Sequence, residues 1–326
     1  MSTKVYVLSP DDSYQMEVFQ RFVPEDAEIV WVDNQQSIEN QAAQLRDARA
    51  IVIVPSEFSV DLALKCPNLK LLQTVSAGTN MLDIKALEEL GIQVANNGGG
   101  NAVAVAEHTI TLMVSVYRKL DLQIKAVKDR QWASDLRKTW FEQTFELTDK
   151  TVGIIGLGRI GQRVARRLQG WDCKLVYHDL AEFPPAVDES LHLTRLFMDE
   201  LLKTSDIVTL HVPLTRETRG MISDRELDLM KPTAVLINAC RGPVVDEAAL
   251  IRALEQKKIM AAGLDVLEEE PTPADNPLLD MDNVIITPHL AAFAQESYDK
   301  SRAFAVQNAA RVARDEAPKS VVDYFA

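Results

Sequence analysis

The stretch that decides the fold is GIIGLGRIGQRVARRL, residues 153–168, which carries Gly156, Gly158 and Gly161 in the spacing G-x-G-x-x-G. It follows an apolar β-rich run, opens a helical pattern and precedes a second β-rich run, which is the context of a dinucleotide-binding βαβ unit. There the first glycine permits a tight turn, the second lets the backbone approach a pyrophosphate, and the third allows close packing of helix and strand. The N–H groups at the start of the helix would bind the phosphates.

Asp179 stands at the end of the second β-rich run. A carboxylate at this place accepts hydrogen bonds from the hydroxyls of the adenosine ribose, and its charge repels the 2′-phosphate of NADP. The alternative is an acidic residue that merely ends a strand in solvent. Together with the glycine loop, Asp179 predicts NAD as the cofactor.

The same alternation of strands and helices extends in both directions from this unit. Apolar β-rich runs occupy residues 4–9, 28–33, 50–55, 69–76, 92–96, 151–156, 174–178, 206–212, 234–239, 261–266 and 283–287. Their apolarity is continuous rather than alternating, which indicates strands covered on both faces, as in parallel sheets. The alternation therefore predicts an α/β protein with two doubly wound parallel sheets.

Helical patterns fill the gaps between these runs, and several carry start and stop signals. Gly91 is placed to end one helix, SDRE at residues 223–226 is a capping box, and Asp246 is placed to cap the helix that follows it. The two longest patterns are residues 101–130, which contain no Pro or Gly, and residues 294–314. Both therefore predict helices that are longer than their neighbours.

Composition excludes several classes of function. The chain has 326 residues, 47% of them hydrophobic, and a formal net charge of −13, which repels nucleic acid and anionic membranes. No apolar segment has the length of a membrane helix, and no signal peptide is visible at the start. The three cysteines lack the spacing of metal ligands. We therefore expect a reduced cytoplasmic protein with a small-molecule partner and no structural metal.

Polar side chains follow three consecutive predicted strands in the second half of the chain. Arg241 follows AVLINAC, Asp265 and Glu270 follow AAGL, and His289 follows NVIITP. Because ligands bind beyond the carboxyl ends of the strands in a doubly wound sheet, we expect these residues to gather on the edge that carries the glycine loop. Singly, each has an ordinary alternative: a surface ion pair, a solvated acidic run or an incidental histidine. Together they suit the reduction of a 2-oxo acid by hydride transfer.

That reaction needs three protein groups. A cation must hold the substrate carboxylate and polarise the carbonyl, and the guanidinium fork of Arg241 suits this task. A proton donor must reach the carbonyl oxygen as it becomes an alkoxide, and the imidazolium of His289 suits that one. A carboxylate beside the imidazolium stabilises its charged form, and Glu270 can do so.

Seven stretches, which together span most of the chain, resemble the NAD-dependent D-isomer-specific 2-hydroxyacid dehydrogenases in motif and in order. They are SAGTNMLD (76–83), NAVAVAEHT (101–109), TVGIIGLGRIGQRVA (151–165), TLHVPLTRETRGMI (209–222), INACRGPVVDEAAL (237–250), GLDVLEEEP (263–271) and NVIITPHLAA (283–292). The resemblance implies a discontinuous, smaller flavodoxin-like substrate domain, residues 1–100 and 291–326, and a Rossmann NAD-binding domain, residues 101–290.

The resemblance also implies roles for the motif residues. Arg241 would anchor the substrate, with Glu270 and His289 as the acid–base pair. Ser76, Ala77 and Gly78 would bind the substrate, the last two through backbone amides that hold its carboxylate. The cofactor-binding set would be Gly156, Gly158, Arg159, Ile160, Gly161, Asp179, Val212, Pro213, Thr218, Ala239, Cys240, Asp265, His289 and Ala291. Within that set, Asp265 would contact the nicotinamide carboxamide, and no metal ion is implied.

The long helix from Asn101 would join the two domains and form the arm of a homodimer. Two positions depart from the family's pattern. NNGGGN (96–101) has Gly where the family usually has Pro-Gly, which we expect to loosen this loop. Asp149 stands where Gly is usual, just before the nucleotide domain. Neither departure touches the predicted chemistry.

The predicted substrate is a small, unphosphorylated 2-oxo acid, such as glyoxylate, hydroxypyruvate or pyruvate, which is reduced to the D-hydroxy acid. The loop after residues 50–54 borders the far end of the substrate in this fold, and it carries Glu57 and no Lys or Arg before Lys65. A carboxylate there would repel a phosphate, unless Glu57 points into solvent. The alternatives are a non-catalytic NAD(H)-sensing scaffold and the phosphoglycerate, formate or phosphite dehydrogenase branches.

Overall fold

The computed structural model describes residues 2–322 except Asp11 and residues 55–57, 133–139 and 141–142. Glu57, on which the expectation of an unphosphorylated substrate depends, lies outside the described residues. The chain divides into two compact units. The first unit is Met1–Asn101 with Phe293–Ala326, and the second unit is Ala102–Ala292.

Strands and helices alternate through most of both units. In chain order they are β1 Thr3–Ser9, α1 Ser13–Gln20, β2 Ala27–Asp33, α2 Ile38–Leu45, β3 Ala50–Ile53, α3 Val60–Leu64, β4 Leu71–Thr74, α4 Ile84–Glu89, β5 Gln93–Ala95, α5 Ala102–Arg118, α6 Leu120–Lys128, β6 Thr151–Ile155, α7 Gly161–Leu168, β7 Lys174–His178, α8 Pro185–Leu191, β8 Leu193–Arg195, α9 Met198–Thr204, β9 Ile207–Leu210, α10 Asp224–Leu229, β10 Val235–Asn238, α11 Glu247–Glu255, β11 Ala261–Leu264, β12 Val284–Ile286, α12 Gln295–Ala313 and β13 Val321–Val322. Short 3-10 helices lie at Gly242–Val244 and Pro277–Asp280.

The first unit is built on a sheet with the strand order β13-β5-β4-β3-β1-β2. Strands β1 to β5 are parallel, and β13 pairs with β5 antiparallel at the edge. The parallel part has the order 2-1-3-4-5 of flavodoxin-like sheets, so the fold predicted for this part of the chain is confirmed. Apolar clusters cover both faces of the sheet, and α12 contributes Ala305, Val306, Ala309 and Ala310 to one of them.

The second unit carries a sheet with the order β12-β11-β10-β9-β6-β7-β8, in which the strands are parallel. This is the doubly wound order of dinucleotide-binding sheets, with one further strand beyond β11. The order reverses between β6 and β9, where such sheets bind their ligands. Every residue of β9, β10 and β11 is buried, in agreement with the continuous apolar pattern of their sequences.

The sequence signals for helix ends are confirmed. Gly91 follows α4 with a φ of 77°, the left-handed conformation that closes a helix. Ser223 and Glu226 form the capping box of α10, and the Asp246 side chain accepts a hydrogen bond from the amide of Ala249 at the start of α11. These local signals depend only on neighbouring residues, which is why the sequence reveals them.

The structure bears on two expectations about the chain after β5, and the first of them is wrong. The helix expected over residues 101–130 is two helices, because Lys119 has a φ of 47° and breaks the hydrogen-bond ladder between α5 and α6. The loop NNGGGN (96–101), which we expected to be loose, is held by hydrogen bonds. The amides of Gly98 and Gly99 donate to the side chains of Asn96 and Asn97, at 3.1 and 3.0 Å. These hydrogen bonds to asparagine side chains oppose the expected loosening, which stays a prediction.

The described residues contain no helix that is long and apolar enough to cross a membrane. In the same part of the chain, no group of three or more His, Cys, Asp or Glu side chains is arranged to hold a metal ion. Cys66, Cys173 and Cys240 are free thiols. Burial raises the pKa of Cys66 and of Cys240 to about 11, so both thiols are protonated at neutral pH.

Candidate active site

The glycine loop between β6 and α7 has the shape that a dinucleotide requires. Gly156 has a φ of 92°, and a Cβ there would lie 2.6 Å from the carbonyl oxygen of His211. A Cβ on Gly161 would overlap the carbonyl oxygen of Gly156, so the helix approaches the strand closely. Gly158 is exposed, and a Cβ on it would meet no atom within 4 Å. The loop therefore combines a tight, packed base with an open surface at Gly158.

Free backbone donors and a carboxylate flank this open surface. The amides of Gly158 and Ile160 donate to no acceptor among the described residues. One Asp179 oxygen, Oδ2, accepts from the amide of Leu157 at 2.6 Å, and Oδ1 accepts from Ala181 at 2.8 Å. Asp179 thus lies against the glycine loop. An anionic pyrophosphate fits the free amides and the N-terminus of α7.

Several residues of the predicted cofactor-binding set lie at the carboxyl ends of β9 and β10. Val212 and Pro213 follow β9, and the Thr218 hydroxyl donates to the carbonyl of Pro213 at 2.6 Å. Ala239 and Cys240 follow β10 and are buried. These residues lie at the carboxyl edge of the sheet, beside the point between β6 and β9 where the strand order reverses.

His211 lies at the end of β9, beneath the glycine loop, and is buried. Burial lowers its pKa to about 3, so the ring is neutral at physiological pH. Its Nε2 lies 3.0 Å from the Thr209 hydroxyl, and its Nδ1 has no partner among the described residues. A neutral, buried ring supports the loop and does not suit acid–base chemistry at neutral pH.

Arg241 follows β10 directly, at the start of the 3-10 helix Gly242–Val244. Its Nη1 donates to the carbonyl of Cys240 at 2.5 Å, and its own carbonyl accepts from the Asn238 amide group at 3.0 Å. Gly242 packs so tightly on the carbonyl of Leu267 that a side chain would overlap it. This contact holds the chain after β10 against the chain after β11, where Glu270 stands.

Glu270 and His289 form a direct pair. The Nδ1 atom of His289 lies 2.6 Å from Oε2 of Glu270, and the side chains are 47% and 37% exposed. The other oxygen of Glu270 accepts from the amide of Leu267 at 3.0 Å, which orients the carboxylate. Because Nδ1 is bonded to Glu270, Nε2 is the nitrogen of the half-exposed ring that can contact a substrate. The pair has the geometry of a proton donor and its supporting carboxylate.

Asp265 organises the turn that carries His289. Its Oδ1 accepts from the Thr287 hydroxyl at 2.6 Å and from the amide of Leu290 at 3.0 Å. Its Oδ2 accepts from the amide of Ala291 at 2.8 Å, and its carbonyl accepts from the amide of His289. His289 has a φ of 55°, a conformation that is costly for a residue with a side chain. The bonds to Asp265 therefore hold His289 in place.

The environment of Asp265 keeps it ionised. Burial alone would raise its pKa, but hydrogen bonds from His108, Thr287, Ala291 and Leu290 outweigh burial and hold the pKa below its usual value. Nε2 of His108 lies 3.4 Å from Oδ1 of Asp265 and 2.9 Å from the Thr287 hydroxyl. The sequence did not single out Thr287 for this role, although it stands two residues before His289 in the motif NVIITPH.

In the first unit, the loop Ser76–Gly78 follows β4 and presents its amides. The Ser76 carbonyl accepts from the Thr74 hydroxyl at 2.8 Å, and the Gly78 carbonyl accepts from the Ser76 hydroxyl at 2.7 Å. The Ala77 carbonyl accepts from Nδ2 of Asn96 at 3.4 Å. The amides of Ala77 and Gly78 donate to no acceptor within the described part of the chain. Bound carbonyls and free amides leave the loop with donors suited to an anion.

The family model and the relatives that match this chain indicate the same family. Residues 110–291 match the family model described as "D-isomer specific 2-hydroxyacid dehydrogenase, NAD binding domain". A glyoxylate reductase of Thermofilum pendens is 37% identical over 291 residues, which cover 88% of this chain and 85% of the relative. A D-3-phosphoglycerate dehydrogenase of Archaeoglobus fulgidus is 40% identical over 252 residues, which cover 76% of this chain but 46% of that relative.

Solved structures agree with the sequence relatives. The apo D-mandelate dehydrogenase of Rhodotorula graminis has a TM-score of 0.86 and 26% sequence identity, over 98% of this chain and 98% of that one. A glyoxylate reductase of Paecilomyes thermophila has a TM-score of 0.85 and 26% identity, over the whole of both chains. The chain belongs to the D-isomer-specific 2-hydroxyacid dehydrogenase family.

Proposed function

We propose that the protein reduces a small, unphosphorylated 2-oxo acid, such as glyoxylate, hydroxypyruvate or pyruvate, to the D-2-hydroxy acid. Its family makes it an NAD-dependent oxidoreductase that interconverts 2-oxo and 2-hydroxy acids. The observation that carries the proposal is the 2.6 Å contact between His289 and Glu270. A proton donor with its own carboxylate is what reduction of a carbonyl needs beside a hydride source.

Arg241 is the proposed substrate anchor. Arg241, Glu270 and His289 follow the neighbouring strands β10, β11 and β12, so all three stand at the carboxyl edge of one sheet. A guanidinium there can bind the substrate carboxylate and polarise the carbonyl. We assign the free amides of Ala77 and Gly78 to the same carboxylate.

His289 and Glu270 are the proposed acid–base pair. NADH, when bound, supplies the hydride that reduces the carbonyl carbon of the substrate. His289 gives a proton to the carbonyl oxygen, which becomes the hydroxyl of the product. Glu270 stabilises the imidazolium before this transfer and holds Nε2 toward the substrate by its bond to Nδ1. In the oxidative direction, the same ring takes the hydroxyl proton.

The cofactor site follows from the glycine loop and the strand ends. The free amides of Gly158 and Ile160 are assigned to the pyrophosphate, and Asp179 to the adenosine ribose. The remaining proposed contacts are Gly156, Arg159, Gly161, Val212, Pro213, Thr218, Ala239, Cys240, Asp265, His289 and Ala291. Since the Asp265 carboxylate already holds the turn around His289, any contact it makes with the carboxamide is an addition to that role.

The proposed substrate carries no phosphate because the segment after β3 offers Glu57 and no basic residue before Lys65. The relatives of the chain include both glyoxylate reductase and D-3-phosphoglycerate dehydrogenase, so a phosphorylated substrate is the second candidate. The absence of a cation in that segment favours the first.

We further propose that the enzyme is a cytoplasmic homodimer. Helix α6 exposes Leu120, Ile124 and Val127 at 41%, 49% and 52%, which form one stripe at the spacing i, i+4, i+7. A second copy of the chain would cover this stripe. Sedimentation equilibrium should give a dimer, and Ile124→Lys should shift it toward monomer; a monomeric wild type contradicts this part of the proposal.

The activity is tested by following NADH oxidation with glyoxylate, pyruvate and hydroxypyruvate, and by chiral chromatography of the lactate and glycerate formed. We expect turnover and D products. An L product would contradict the proposal, and no turnover with any 2-oxo acid would favour the NAD(H)-sensing scaffold.

A further inference from the structure

The loop Ser76–Gly78 is held from behind by a second loop of the first unit, residues 96–100. The amide of Asn97 donates to the Ser76 carbonyl at 3.0 Å. Nδ2 of Asn96 donates to the Ala77 carbonyl at 3.4 Å. Two of the three carbonyls of the loop Ser76–Gly78 therefore accept hydrogen bonds from neighbouring asparagines. None of these contacts involves a group that would touch the substrate.

Asn96 is tied in turn to two other segments. Its Oδ1 accepts from the amide of Gly98 at 3.1 Å and from the Ser320 hydroxyl at 2.6 Å. Its own amide donates to the Ser320 carbonyl at 3.1 Å. Gly98 has a φ of 64°, and a Cβ on it would lie 2.6 Å from the ring of Phe304, so glycine is required where this turn packs on α12. The departure from Pro-Gly therefore gives a turn that presents the Asn96 side chain.

A buried network of side-chain amides, those of Gln73 and Asn308, holds the backbone of Asn96. Gln73 is fully buried, and its Nε2 donates to the carbonyls of Thr74 and Asn96, each at 2.8 Å. Its Oε1 accepts from Nδ2 of Asn308 at 2.6 Å. Asn308 also bonds both backbone groups of Lys319, at 2.9 and 2.7 Å. The network joins the end of β4, the end of β5, α12 and the segment before β13.

We propose that Asn96 is a positioning residue, which orients the amide of Gly78 toward the substrate carboxylate by holding the Ala77 carbonyl on the opposite side of the same peptide plane. A peptide plane turns as a unit, so fixing the Ala77 carbonyl fixes the direction of the Gly78 amide. The Asn97 bond to the Ser76 carbonyl does the same for the Ala77 amide. This inference rests on the proposed function, because it takes the ligand of the loop to be a 2-oxo acid carboxylate.

The direction of the effect follows from preorganisation. A loop that must be ordered on binding loses affinity for the carboxylate, because its ordering entropy offsets part of the binding free energy. NADH binding and the proton transfer do not use this loop. Loss of the Asn96 donor should therefore raise KM for the 2-oxo acid and Ki for oxamate, an unreactive carboxylate analogue. The kcat and the KM for NADH should change little.

Three variants separate positioning from folding. Asn96→Asp keeps the acceptor for Gly98 and Ser320, but replaces the donor to Ala77 with an anionic oxygen. Asn96→Ala removes both functions. Asn68→Ala is the matched control, because Nδ2 of Asn68 also donates to a backbone carbonyl of the first unit, that of Arg46 at 3.2 Å, and stands on the surface.

The experiment measures kcat, KM for glyoxylate, KM for NADH, Ki for oxamate and Tm for each full-length protein. We expect Ki for oxamate and KM for glyoxylate to rise on the order of tenfold in Asn96→Asp and in Asn96→Ala, which corresponds to about 1.4 kcal/mol. In Asn96→Asp the NADH KM should stay within about twofold of the wild-type value. Asn68→Ala should match the wild type in every kinetic constant.

Two results would overturn the inference in different ways. A wild type that reduces glyoxylate, together with Asn96→Asp and Asn96→Ala variants whose Ki for oxamate equals that of Asn68→Ala, would show that Asn96 has no positioning role. A wild type that neither reduces a 2-oxo acid nor binds oxamate would remove the proposed function, and the inference with it.

Discussion

The contact between Glu270 and His289 leads to the sharpest prediction for the proposed chemistry. In Glu270→Gln the side chain keeps its shape and loses its charge. One of its oxygens accepts from the Leu267 amide at 3.0 Å, so the glutamine carbonyl should remain there. Its NH2 group would then face Nδ1 of His289. The Nδ1–H of an imidazolium has no acceptor in an NH2 group, so the variant no longer stabilises the proton-donating form of the His289 ring.

The size of the effect can be worked from the geometry. A hydrogen bond to a charged group contributes about 1.5–3 kcal/mol. The two side chains are 47% and 37% exposed, so water screens the pair and the lower part of this range applies. About 1.5–2 kcal/mol corresponds to a fall in kcat/KM of about 10- to 30-fold, to which the unfavourable orientation of the NH2 group adds.

The assay is kcat/KM for NADH-dependent reduction of glyoxylate at pH 7, beside the Kd for NADH from fluorescence titration. Glu269→Gln is the matched control, since it removes the same charge from the adjacent, exposed residue. We expect Glu270→Gln to lose at least about tenfold in kcat/KM. The Kd for NADH should be equal in the two variants. If Glu270→Gln is as active as Glu269→Gln, the pair has no role in proton transfer.

Three further predictions follow from other residues of the second unit. Arg241→Lys keeps the charge but loses the guanidinium fork, so kcat/KM for the 2-oxo acid should fall on the order of 100-fold with little change in NADH affinity; near-normal turnover would remove Arg241 from the site. Asp179→Ser should narrow the preference for NADH over NADPH, measured as the ratio of their kcat/KM values; a wild type that uses both cofactors equally would contradict the role of Asp179. Burial lowers the pKa of His211 from 6.5 to about 3, so the ring stays neutral in the folded protein while the unfolded chain takes up a proton below pH 6.5. As the pH falls from 7 to 5, this residue should therefore lower the free energy of unfolding by about 2 kcal/mol. Urea unfolding should show a smaller loss over this pH range in His211→Gln than in the wild type, and an unchanged loss would mean that the ring is not buried neutral.

The features that the sequence predicted are those that depend on local pattern. Continuous apolar runs such as residues 234–239 indicated parallel strands, and the strand ends then placed Arg241, Glu270 and His289 on one edge of the sheet. The helix caps at Ser223 and Asp246 need only residues within a few positions of each other.

The features that the sequence did not predict depend on contacts between distant segments. The helix break at Lys119 has no Pro or Gly that would signal it in the sequence. Strands β8 and β13 are too short to show a pattern of apolar residues. The bond between Asn308 and Gln73 joins residues 235 positions apart. Asp265 was expected to face the cofactor, and its carboxylate is bound by the turn that carries His289, which only the fold of that turn reveals.

The proposal that the substrate is a small, unphosphorylated 2-oxo acid is tested most directly by one matched pair of substrates. Hydroxypyruvate and phosphohydroxypyruvate differ only in the phosphate at the far end of the molecule. Steady-state kcat/KM should be measured for both with NADH under the same conditions. Because the segment after β3 carries Glu57 and no cation before Lys65, we predict a kcat/KM for hydroxypyruvate at least about tenfold above that for phosphohydroxypyruvate. A higher kcat/KM for phosphohydroxypyruvate would contradict this account and place the enzyme with the phosphoglycerate dehydrogenases.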